Sequence, residues 1–222
     1  MKTAIVGLGN IGAQLAKNLT AGGEKILIAD RDISKAERLA AQLGAKATAM
    51  SIGEAIKQAD VVIFAIYFDV MKDLIAEYHS ALAGKIVVDP SNPIAPDGKG
   101  RFKKTIPADQ SSGRLIAALL SEGAEFVKAL GTLSAQSLGT GVNRPPERAV
   151  LFYATDYPEA RRAVAKLIVT SGFSPVSVGG VNPYILKSSV IFTSSVNSAS
   201  SFQLKEPRRS SNFRVQLFSR RY

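Results

Sequence analysis

The sequence predicts an α/β protein built on a doubly wound, mainly parallel sheet with a small C-terminal α/β extension, and three observations predict it. Short β-branched runs alternate with longer segments of helical periodicity, the pattern of successive βαβ units. Two runs, Val61 to Ile66 and Lys85 to Val88, are continuously apolar, as central strands covered on both faces are. A glycine-rich turn, Gly7-Leu8-Gly9-Asn10-Ile11-Gly12, follows the first run and opens the first helical segment.

Taken in order, Thr3 to Val6 reads as the first strand. Ile11, Leu15 and Leu19 recur every four residues and predict a helix from Asn10 to Ala21, stopped by Gly22-Gly23. Lys25 to Ala29 is a second strand. Ile33, Ala36, Leu39, Ala40 and Leu43 then line one face of a helix that ends at Gly44. A weaker strand, Ala45 to Met50, precedes a short helix capped by Ser51, with Glu54 completing a capping box. After the two apolar strands the pattern breaks from Asp89 to Gly113 into a Pro, Gly and Lys-rich loop, long enough to be functional or mobile. A helix from Arg114 to Leu120 and a strand from Glu125 to Ala129 follow. A second irregular stretch runs through Pro145-Pro146, then a strand from Ala149 to Tyr153, a helix from Pro158 to Thr170 and a strand from Phe173 to Val178. The expected organisation is a doubly wound domain over 1–129, a small α/β extension over 130–180, and an atypical tail over 181–222.

Composition narrows the chemistry. With no Cys among 222 residues there is no disulfide framework, thiolate metal site or cysteine nucleophile, and the single His79, at a polar helix end, offers no imidazole cluster. No metal site is therefore expected. The opening has no cleavage pattern of a secretory signal, and no run of about 18 apolar residues predicts a spanning helix. A cytoplasmic protein without a membrane partner is expected.

The formal charge of +10 is uneven. Lys187 to Tyr222 holds seven basic residues and one acidic, a net of +6, which leaves +4 for the rest. That tail also holds 10 Ser, one Ala and no Gly. It reads in three ways: a basic arm for nucleic acid or a membrane surface, a solvated tail, or an artefact of reading frame or cloning that replaces the natural end. A nucleic-acid partner is the least favoured.

The glycine turn has a mechanism. Gly7 permits a tight turn, Gly9 lets backbone approach a pyrophosphate, and Gly12 lets the helix pack close to the strand, while the helix N-terminus presents free N–H groups to phosphate. Asp30, 18 positions after Gly12, falls where the adenosine ribose would lie. A carboxylate there favours the free 2′-hydroxyl of NAD, whereas the neighbouring Arg31, with Lys35 one turn on, favours the 2′-phosphate of NADP. The two readings stand open. Short-chain dehydrogenases are excluded because no Tyr has Lys four residues later, and serine hydrolases because there is no GxSxG elbow.

Four stretches carry a more specific resemblance: Ala4 to Gly12 (AIVGLGNIG), Ala29-Asp30-Arg31, Val87 to Pro93 (VVDPSNP) and Val127 to Ser134 (VKALGTLS). With them the chain resembles the coenzyme F420-dependent NADP reductase family of Rossmann-type proteins, similar in turn to the reductase domain of six-transmembrane ferrireductases. The resemblance implies an oxidoreductase that carries hydride between the nicotinamide of NADP(H), or of NAD(H), and a planar small-molecule acceptor such as a deazaflavin, flavin or quinone. It implies that Gly7, Gly9, Asn10, Ile11 and Gly12 hold the pyrophosphate and Arg31 the 2′-phosphate. Ala65, Ile66, Tyr67, Asn92 and Pro93 would border the ribose and nicotinamide, and Thr132, Leu133 and Ser134 would form the floor for the second ring. Plainer roles compete: Ile66 and Leu133 as core, Asn92-Pro93 as turn chemistry, Ser134 as a local backbone hydrogen-bonder. The rival function is a dinucleotide-binding redox sensor without turnover; a homodimer is compatible with the sequence but not specified by it.

Overall fold

The computed structural model describes residues 1–98, 102–107 and 109–181. Expectations for the tail beyond Val181 lie outside the described residues.

The glycine turn sits between β1 (Thr3–Val6) and α1 (Asn10–Ala21). Then come β2 (Ile26–Ala29), α2 (Ile33–Leu43), β3 (Ala47–Ala49), α3 (Ile52–Gln58), β4 (Val61–Phe64), α4 (Phe68–Glu77) and β5 (Ile86–Asp89). After these come β6 (Ile94–Pro96), β7 (Phe102–Lys104), α5 (Ser112–Ala117), β8 (Glu125–Ala129), α6 (Ala135–Thr140), β9 (Val150–Ala154), α7 (Pro158–Thr170) and β10 (Ser174–Ser177). The capping box is present, with the Glu54 N–H donating to Ser51 Oγ and the Ser51 N–H to Glu54 Oε2. His79 is exposed in a 3-10 turn after α4.

Eight strands form one sheet in the order β10-β9-β8-β5-β4-β1-β2-β3. β3, β2, β1, β4, β5 and β8 are parallel to one another, so the chain winds outward in both directions from β1 and β4. This is the doubly wound Rossmann topology, with its switch point between those two strands. Beyond β8 the direction reverses: β9 is antiparallel to β8, and β10 is parallel to β9. Residues 130–180 thus extend the sheet that residues 1–129 begin.

Both sheet faces are covered, as the continuous apolar runs require. Ile5, Ile28, Ile63, Val88 and Val127 share a buried cluster with Leu15 and Leu19 of α1 and Val164 and Ile168 of α7. Val6, Phe64, Val87 and Phe126 share the other with Ile56 of α3, Met71 and Ile75 of α4 and Ile116 of α5.

Two expectations are corrected. The stretch from 89 to 113 is not wholly loop, because β6 and β7 pair antiparallel through Ile94–Lys104, Ala95–Lys103 and Pro96–Phe102. The stretch after Ala129 contains α6, whose carbonyl at Leu138 accepts a 2.9 Å bond from Asn18 Nδ2 of α1. Strands β2, β3, β4, β9 and β10 are also shorter than, or offset from, the apolar runs that predict them, and α5 starts two residues early.

Candidate functional site

The register puts the carboxyl ends of β1, β4, β5 and β8 side by side at one edge of the sheet. In an open α/β sheet this edge, at the switch point, is where ligands bind.

The glycine turn is shaped by close packing on that edge. Gly7 has φ +91°, a conformation natural to glycine, and a Cβ there would overlap Ile66 Cγ2. A Cβ on Gly12 would overlap the Gly7 carbonyl oxygen and stand 3.0 Å from Ala65 Cβ. Gly9 differs: a Cβ on it would meet nothing within 4 Å. Gly7, Gly12, Ala65 and Ile66 are therefore brought together, and an open face remains over Gly9, the N-cap of α1. No side chain caps that helix and its first turn carries no acidic residue, so the dipole's positive end is left uncompensated. Asn10 is exposed and Ile11 half-buried against the core. Tight packing below and clearance above fit a bound pyrophosphate.

At the end of β2, Asp30 faces the turn. Its Oδ2 accepts from the Leu8 N–H at 2.7 Å and from Lys35 Nζ at 3.3 Å, and its Oδ1 accepts from the Asp32 N–H at 3.2 Å. Burial alone would push this carboxyl up, but those three donors and the Lys35 charge hold it below its ordinary value. Arg31 is exposed.

Tyr67, the N-cap residue of α4, is 86% exposed, while Ala65 and Ile66 before it are half-buried. Across the site, Asn92 Nδ2 donates to the Gly131 carbonyl at 2.8 Å and so joins the turn after β5 to the segment after β8. Pro93 is buried, and its carbonyl accepts from the Thr105 N–H at 2.9 Å. A Cβ on Gly131 would overlap the Pro90 carbonyl oxygen. Leu130, just before it, holds φ +65°, an unusual conformation for a non-glycine residue at a functional edge.

The second-ring segment divides. Thr132 Oγ1 is enclosed and has no hydrogen-bond partner among the described residues. Leu133 packs partly against the core. Ser134 takes its plainer role as the N-cap of α6, its Oγ accepting from the Ser137 N–H at 3.1 Å.

Sequence reasoning passed over the group that supports this half. Asp89 is fully buried and pairs with Lys128 Nζ at 2.8 Å; its Oδ1 accepts from the Ser91 N–H at 2.7 Å, and Lys128 Nζ also donates to the Ser91 carbonyl. Ser91 Oγ is enclosed without a protein partner among the described residues. The signal was available: an aspartate ends the apolar run of β5, and a lysine stands among the apolar residues of β8.

Fold and edge together define a dinucleotide-binding Rossmann protein. Residues 2–93 match the model of the family described as NADP oxidoreductase, coenzyme F420-dependent. Over 180 residues the chain is 29% identical to the metalloreductase STEAP3 of Rattus norvegicus, covering 81% of this chain and 34% of that protein, so it spans about a third of that relative's length. Among solved structures, the hypothetical protein SMa0349 from Sinorhizobium meliloti is 34% identical with a TM-score of 0.74, over 82% of this chain and 86% of that one. A candidate F420-dependent NADP reductase from Arthrobacter sp. FB24 is 22% identical with a TM-score of 0.70, over 84% and 90%, a likeness of fold. No helix among the described residues is long and apolar enough to cross a membrane, and no cluster of acidic or imidazole side chains among them is suited to a metal ion.

Proposed function

We propose that the chain is an NADP(H)-dependent reductase that passes hydride to a planar redox acceptor. The observation that carries this reading is the glycine turn: Gly7 and Gly12 are locked against Ile66, Ala65 and each other, while the space over Gly9 stays open beside an exposed arginine at the end of β2. In this reading the backbone N–H groups at the start of α1 hold the pyrophosphate, with Asn10 and Ile11 flanking it, and Arg31 pairs with the 2′-phosphate. Ala65, Ile66 and Tyr67 border the nicotinamide side, and the joined segments 90–93 and 130–134 align the acceptor. When bound, the nicotinamide supplies hydride at C4. The protein's contribution is to bring two rings together and exclude other encounters, which requires no acid-base side chain. The candidate acceptors are a deazaflavin, a flavin or a quinone; a metal chelate, which the metalloreductase relative's name suggests, takes single electrons and would be reduced by such a ring after it has accepted the hydride.

Gly9→Ala tests the site directly. Gly9 has φ −67°, which any residue adopts, and a methyl group there touches no protein atom. It intrudes only on a ligand lying over the turn. The expected result is an unchanged melting temperature with NADPH affinity, read by fluorescence titration, reduced roughly tenfold or more. Unchanged NADPH affinity overturns the proposed site. Steady-state assays with NADPH against deazaflavin, FMN, menadione and ferric citrate then identify the acceptor; binding without turnover of any of them favours the sensor reading.

A further inference from the structure

The carboxylate at the end of β2 is the residue type that ordinarily rejects a 2′-phosphate, yet here both carboxylates of this corner are already matched. Asp30 is only 15% exposed at its side chain and takes the Leu8 N–H, the Asp32 N–H and the Lys35 ammonium. Asp32 takes the Ser34 N–H at 3.0 Å as the N-cap of α2 and pairs with Arg38 at 3.7 Å. Arg31 lies between them, exposed and with no hydrogen bond or ion pair among the described residues. The charges of the corner thus cancel in two pairs and leave one cation.

We propose that Lys35 is the residue that sets the dinucleotide preference, acting as the counter-ion that silences Asp30. Asp30 is a latch: its Oδ2 holds the Leu8 N–H of the glycine turn, 22 residues away in sequence, and orients the turn for either dinucleotide. Lys35 removes the repulsion that this latch would otherwise exert on a 2′-phosphate, and Arg31 supplies the attraction. The inference rests on the dinucleotide site proposed above, and it differs from direct contact between Lys35 and the phosphate in a way that a double mutant reveals.

The experiment measures the dissociation constants of NADPH and NADH for the full chain and for Lys35→Met, Asp30→Asn and the double variant, at low ionic strength where an unpaired charge is least screened. The wild type is expected to prefer NADPH. Lys35→Met exposes the Asp30 charge and is expected to weaken NADPH roughly tenfold while changing NADH much less. Asp30→Asn keeps an oxygen that can accept the Leu8 N–H but removes the repulsion and leaves the Lys35 charge unpaired beside Arg31, so it is expected to raise the preference for NADPH over NADH above that of the wild type. The double variant is expected to recover the NADPH affinity lost in Lys35→Met, because there is no longer a charge to silence. A double variant as weak as Lys35→Met overturns the inference, since Lys35 would then serve the phosphate directly. So does a wild type that binds NADPH and NADH equally. A wild type that binds neither dinucleotide overturns the site itself, and melting temperatures of all four proteins separate lost folding from lost binding.

Discussion

Lys128 lies in a strand whose neighbours Phe126, Val127 and Ala129 are buried, and its ammonium ends against an aspartate with no exposed surface. Such a pair is sensitive to loss of one partner, because the group left behind keeps the cost of burial without compensation. Lys128→Met is therefore expected to destabilise the protein by about 3–5 kcal/mol, read as a lower denaturation midpoint. Lys128→Met combined with Asp89→Leu should recover much of that loss; if it recovers none, the pair is not the cause. Asp30 gives a pH prediction of definite sign. Its folded carboxyl lies below the ordinary 3.8, so its ionised form contributes stability above the unfolded value and loses it as pH falls through the folded one. The stability difference between wild type and Asp30→Asn should be constant above about pH 5 and shrink below about pH 4. A difference independent of pH down to the acid transition would mean that the carboxylate's charge adds nothing to the latch.

The elements that sequence periodicity revealed are those whose burial repeats along their own length. Leu15 and Leu19 of α1, Ala36 and Leu39 of α2, and Ala160, Ala163, Val164, Leu167 and Ile168 of α7 each fill one face, and these three helices have the predicted bounds. α6 escaped because six residues with one buried side chain, Leu138, carry no period; what places it is the bond from Asn18 and the Ser134 cap, one of them a tertiary contact. The β6–β7 ribbon escaped for a similar reason, its strands being three residues long and one of them ending in proline. At the site, the glycine turn was legible because its spacing encodes contacts within one βα unit. The Asp30 bond to Leu8 and the bridge from Asn92 to Gly131 were not legible, since they join residues 22 and 39 positions apart. Ser51 gives the element-scale test. Ser51→Ala removes the hydroxyl that accepts from the Glu54 N–H and donates to Glu54 Oε2, leaving only the backbone N–H of residue 51 on that carboxylate, and should cost about 1 kcal/mol without altering NADPH affinity.

Across the whole sheet, the reversal at β9 decides where the site ends. The carboxyl edge is built by β3, β2, β1, β4, β5 and β8, because β9 and β10 point their carboxyl ends the other way. The crevice consequently has two supports of different origin. One is the locked glycine turn against β4, and the other is the pair of segments after β5 and β8, joined by Asn92, Gly131 and the buried Asp89–Lys128 pair. In the proposed reading the first holds the dinucleotide and the second aligns the acceptor, so damage to the second should separate the two tasks. Gly131→Ala places a methyl group on the Pro90 carbonyl and must push those segments apart, at a cost of about 1–3 kcal/mol for overpacking. The expected outcome is a reduced turnover number with the active acceptor while NADPH affinity holds, because the glycine turn and Arg31 lie on the other side of the switch point. If NADPH affinity falls in step with turnover, the two supports act as one, and the acceptor role assigned to residues 130–134 is lost with the distinction.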